Sequence, residues 1–167
     1  MFRRVAGVAL IVAANAILGA VASAEDARVA RGRYLVTVIS CGDCHTNGAL
    51  AGEPDTEHPL GGSDIGFYIP NLGYFYGPNL TPDRETGLGG WNAEQIATAI
   101  TTGVRPDGRV LAPVMPWHSF SHLTREDAMA IALYLKSLPA VKHKSPGPFG
   151  PSDKPSSPYM ALTMPPS

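Results

Sequence analysis

Both cysteines of the chain fall three positions apart, in the stretch SCGDCHTNG at 40–48, and His45 follows the second of them directly. Three chemistries compete for a Cys41-x-x-Cys44 pair. A structural zinc site needs four ligands, normally a second Cys or His pair at comparable spacing. No second cysteine pair exists, and His58, His118, His122 and His143 do not supply a finger spacing. A thioredoxin-like redox pair would open a helix within alternating strands and helices, and the flanking pattern here does not alternate. The third chemistry is covalent haem attachment, read from C-x-x-C-H. Two thiols add across the two vinyl groups of the haem, and two intervening residues let both sulfurs reach one edge of the ring. His45 is then aimed at the iron from one face. A plain disulfide in an exported chain would leave the adjacent histidine unexplained. The motif therefore predicts one haem c, bound through Cys41 and Cys44 and ligated by His45.

The chain's beginning agrees with that chemistry. MFRRVAGVALIVAANAILGAVASA has a basic start at Arg3 and Arg4, an apolar run, and small residues at Ala22 and Ala24. This is the layout of a secretory signal peptide, with cleavage expected after Ala24; an uncleaved anchor helix is the alternative, because the run approaches spanning length. The domain organisation expected is a signal peptide at 1–24, a haem domain at 25–143 and a tail at 144–167. No later stretch is long and apolar enough to cross a bilayer. The mature protein is expected in the periplasm, meeting the membrane only through partners. Taking Arg3 and Arg4 from the 13 Lys and Arg leaves 11 against 14 Asp and Glu, a formal charge of −3. That balance argues against nucleic acid as a partner.

A haem with one axial histidine needs a second axial group, and methionine there favours electron transfer. Of the five methionines, Met1 belongs to the signal, Met129 lies in a helical pattern as core, and Met160 and Met164 lie in the Pro/Ser-rich tail. Met115 lies in the loop LAPVMPWHSF between two helical patterns, where Pro113 and Pro116 restrict the backbone. Met115 is the expected ligand, with His118 and His122 as rivals.

Three helices are predicted. The first covers 26–39, with Val29, Tyr34, Leu35 and Val36 as its apolar side and Gly32 allowing a close crossing. The second covers 93–102, capped by Asn92 with Gln95 three residues on and stopped by Gly103. The third covers 125–137, with Thr124 as cap, Glu126 and Asp127 in its first turn and Lys136 in its last. The aromatic stretch 65–77 could form a short hairpin, an expectation weakened by Pro70 and the glycines. The Pro-, Ser- and Gly-rich end reads as extended, with no helical period.

With CGDCH at 41–45, GPNL at 77–80, MP at 115–116 and ALYLKSLP at 132–139, the chain resembles the class I cytochrome c family, an all-α fold of three main helices around a covalently bound haem. Within it, GPNLTPDRETGLGGWNAEQIATAITTGVRPDGR and VMPWHSFSHLTREDAMAIALYLKSLP are similar to the cytochrome c domains of bacterial membrane-associated alcohol, aldehyde and gluconate dehydrogenases. Those subunits often carry three haem domains in a row, whereas one C-x-x-C-H is present here. A long insert at 46–77 separates His45 from Pro78 and is expected to cover a haem edge. The resemblance implies that the Pro78 carbonyl accepts a hydrogen bond from the axial His45. It suggests Trp91 and Arg105 as contacts for haem propionates, which need donors or a cation when buried, and Tyr134 as packing between the terminal helices and the haem.

The expected function is a periplasmic carrier of single electrons, not an enzyme in itself. A dehydrogenase would be its donor and an oxidase or other respiratory complex its acceptor. The alternative is a haem enzyme or gas sensor with an open or displaceable sixth position, for which a peroxidase-like site would want a distal acid–base group such as His118 or His122. A third reading is a non-catalytic subunit whose haem matters only inside a larger complex.

Overall fold

The computed structural model describes residues 27–163; the expected signal peptide and Met164 lie outside them. Helix α1 is helical over 27–38. A turn through Ser40, held at a φ of 58°, leads into the five-residue helix α2, Cys41–His45. Strands β1 (Gly66–Ile69) and β2 (Gly73–Tyr76) follow, then α3 (Ala93–Thr102), the short α4 (Trp117–Phe120), α5 (Arg125–Ser137) and the two-residue strand β3 (Tyr159–Met160).

The two longer helices that follow the sheet begin and end where their sequence directs. Asn92 accepts from the Gln95 N–H while the Gln95 side chain accepts from the Asn92 N–H, a reciprocal cap that satisfies two donors at the start of α3. Gly103 ends α3 with a φ of 72°, a left-handed conformation that favours glycine. At α5, Thr124 accepts from the Asp127 N–H. Buried Leu35 and Val36 of α1 meet Ile96 and Ala97 of α3 and Ile131 and Leu135 of α5 in one core. Full burial of a side chain such as Ile131, 1% exposed, is worth about 1.5–3 kcal/mol. Tyr34, predicted on the apolar side of α1, is exposed instead, with the Arg31 guanidinium 5.5 Å from its ring centre. Helix α1 crosses α5 at Gly32, where a β-carbon would collide with the Ala130 carbonyl.

The all-α expectation is corrected by a three-stranded sheet of order β2-β1-β3. Strands β1 and β2 pair antiparallel from Gly66↔Tyr76 to Ile69↔Gly73, and β3 joins β1 in parallel. Pro70 does not interrupt this ladder, because it sits in the turn between the strands. The chain after α5 therefore returns along the 46–77 insert. Phe149 bridges Tyr74, and the Tyr76 hydroxyl donates to the Ser157 carbonyl at 3.0 Å.

Candidate functional site

Cys41, Cys44 and His45 occupy positions i, i+3 and i+4 of α2. That spacing turns all three side chains toward one side of the helix. His45 is buried, and its Nδ1 lies 2.8 Å from the Pro78 carbonyl oxygen. A carbonyl can only accept, so Nδ1 carries the proton and Nε2 of the neutral ring presents its lone pair. Burial lowers the pKa of His45, against the smaller opposing effect of the Pro78 carbonyl. The ring is thereby kept neutral and oriented, as a metal-ligating imidazole must be.

Burial pushes the Cys41 thiol up to about 11, and burial with the nearby Asp43 charge also raises Cys44. Reactive redox cysteines are shifted the opposite way. Among the described residues, no three His, Cys, Asp or Glu side chains gather as a metal cage would require.

The 46–77 insert is tied to this motif at both ends of its return path. The Gly62 N–H donates to the His45 carbonyl at 2.8 Å, Ser63 N–H to the Gly77 carbonyl at 2.9 Å, and Leu80 N–H to the Leu60 carbonyl at 2.9 Å. Gly77 approaches the Cys44 carbonyl so closely that a β-carbon has no place there.

Trp91 and Arg105 are brought together, the guanidinium carbon lying 5.5 Å from the indole centre. One Arg105 terminal nitrogen pairs with Asp107 at 3.1 Å, while its Nε is buried without a hydrogen-bond partner. An orphaned donor of that kind fits an incoming carboxylate such as a haem propionate. Tyr134 is half-buried at the edge of the helical core, beside Gly32.

Met115 is half-buried in the loop between α3 and α4. This loop is pinned by Leu111 N–H to the Gly103 carbonyl at 2.7 Å and by a tight turn of Met115 N–H onto the Ala112 carbonyl at 2.9 Å. Trp117 then lays its ring over Gly103 and stacks on His118 at 3.5 Å. His118 and His122 are both exposed. No hydrogen bond among the described residues ties Met115 to the His45–Pro78 pair; its place comes from the loop.

Sequence reasoning passed over two buried polar residues beside the motif. Asn79, 1% exposed, accepts from the Thr81 N–H and hydroxyl and donates to the Val141 carbonyl at 2.6 Å. Thr46 accepts from the Leu60 N–H at 2.9 Å. Asn79 lies inside the GPNL stretch, but only burial distinguishes it from a turn asparagine.

The protein-family model described as Cytochrome c matches residues 29–139. The chain is 34% identical over 134 residues to the fructose dehydrogenase cytochrome subunit of Gluconobacter japonicus, covering 77% of this chain and 26% of that protein. It is 33% identical over 126 residues to the alcohol dehydrogenase (quinone) cytochrome c subunit of Gluconobacter oxydans (strain 621H), covering 74% and 24%. It is 34% identical over 111 residues to the gluconate 2-dehydrogenase cytochrome c subunit of Pantoea cypripedii, covering 66% and 23%. The chain thus spans about a quarter of the length of these relatives.

Proposed function

Because this chain belongs to the cytochrome c family, we propose that it carries single electrons through one haem c, anchored by Cys41 and Cys44 and ligated by His45 and Met115. A haem so held supplies a one-electron Fe(III)/Fe(II) couple when bound. The observation that carries the reading is the 2.8 Å contact of His45 Nδ1 with the Pro78 carbonyl. It leaves Nε2 as the free donor on the same helical face as both thiols.

The chain's own residues divide the remaining work. Pro78 fixes the imidazole. Met115 brings a neutral thioether, which favours the reduced state and raises the potential. Arg105 offers its unpartnered Nε to a propionate, with Trp91 against the guanidinium. Tyr134 packs where α1 and α5 cross. The single C-x-x-C-H in this sequence supports a reading of one haem on this chain.

The relatives are named as cytochrome subunits of fructose, alcohol and gluconate dehydrogenases. By that likeness the donor here is a dehydrogenase and the acceptor a respiratory complex, met through small, transient contacts. The setting proposed is the periplasm, after removal of residues 1–24. No helix among the described residues is long and apolar enough to cross a membrane.

The test is the optical spectrum of the purified oxidised protein beside Met115→Ala. A weak far-red band of methionine-ligated Fe(III) haem, lost in the variant, is the expected result. A wild type lacking that band contradicts Met115 as ligand.

A further inference from the structure

The family match ends at residue 139, yet the next few residues grip the turn that holds His45. The Ser145 hydroxyl donates to the Gly77 carbonyl at 2.8 Å. Asn79 Nδ2 donates to the Val141 carbonyl at 2.6 Å and lies 3.3 Å from that of His143. The Val141 N–H donates to the Thr81 hydroxyl at 3.0 Å. Pro78 is therefore bracketed by two residues, Gly77 and Asn79, that are each bonded to residues 141–145. The same segment reaches the other side of the motif. His143 Nδ1 lies 3.0 Å from the Gly61 carbonyl and Nε2 3.1 Å from Asp64 Oδ1, and the neighbouring Gly62 N–H is bonded to the His45 carbonyl.

We infer that residues 141–145 form a positioning strap, with Ser145 and His143 as positioning residues that hold the Pro78 carbonyl, and through it the His45 ring, in register. A simple covering tail would need no such set of polar bonds to one turn. Buried polar groups bonded as a network lock a single geometry, and the partner of a ligating imidazole sets its orientation and donor strength. The inference rests on the proposal that His45 ligates haem iron.

The test uses the full-length haem-loaded protein with Ser145→Ala, His143→Ala and, as a control further along the same tail, Tyr159→Ala. The readout is the exchange rate of the His45 Nδ1 proton in the reduced protein, followed by NMR. Loss of a strap bond is expected to speed that exchange on the order of tenfold in both strap variants, with the far-red band of the oxidised protein kept. Tyr159→Ala is expected to exchange like the wild type. Wild-type exchange rates in both strap variants overturn the inference, even where their melting temperatures fall. A wild type with no covalent haem refutes the ligation reading and the strap with it, an outcome recognised at once from the spectrum.

Discussion

Gly32 on α1 faces the Ala130 carbonyl of α5 with no room for a β-carbon between them, and the Tyr134 Cβ closes the same gap. The two terminal helices can approach this closely only because residue 32 has no side chain. Gly32→Ala would force them apart and disturb the core around Ile131 and Leu135. The expected loss is about 3 kcal/mol or more, measured as a shift in the urea midpoint. Denaturation unchanged from wild type would show that the crossing tolerates a methyl group.

That crossing was legible from the sequence, and so were the helices that make it. Period, caps and stops agree along 93–102 and 125–137, where Asn92, Gln95, Gly103 and Thr124 each do locally what their chemistry favours. The haem motif was legible for a similar reason, since three residues within one helical turn carry the whole signal. The sheet was less legible. Pro70 weakened the hairpin expectation although it lies in the turn, where Asn71 takes a φ of 64°. Strand β3 has two residues and pairs with a segment more than eighty positions earlier, so its existence is decided by tertiary docking. The burial of Asn79 likewise goes with the docking of residues 141–143, to whose carbonyls it donates.

Asn79 should be one of the most costly polar positions in the protein. Asn79→Ala leaves the Val141 carbonyl without its 2.6 Å donor and the Thr81 N–H without its acceptor, both close to buried surroundings. A loss of roughly 2–4 kcal/mol is expected, again read from chemical denaturation. A change no larger than that of an exposed substitution would mean that water replaces the lost bonds.

The loop bearing Met115 starts from Gly103, whose left-handed φ and contact with the Trp117 ring leave no place for a side chain. Gly103→Ala is expected to cost at least about 1 kcal/mol from backbone conformation alone. Displacement of Trp117 should also weaken the far-red band at a temperature where the wild type keeps it. A destabilised variant whose band stays fully intact would separate this contact from ligation.

The α1–α5 crossing also carries an ion pair, Arg31 Nε to Asp127 Oδ1 at 2.8 Å. The Arg31 guanidinium holds the Asp127 carboxyl below the usual carboxylate range. A depressed folded-state value stabilises the fold above the unfolded-state value and loses that effect as pH falls through the folded one. The melting-temperature advantage of wild type over Asp127→Asn should therefore be present at neutral pH, shrink below about pH 4, and diminish in high salt. An advantage that grows with acid would contradict the pairing.

The proposed function is electron transfer through a haem that His45 and Met115 would ligate. Its most direct test is a spectroscopic redox titration of the purified full-length protein, repeated for the reduced form under carbon monoxide. A single reversible one-electron transition, with a reduced spectrum that carbon monoxide leaves unchanged at neutral pH, is the predicted result. Ready carbon monoxide binding, or no reversible transition, would contradict a saturated electron-transfer haem and favour an open sixth position.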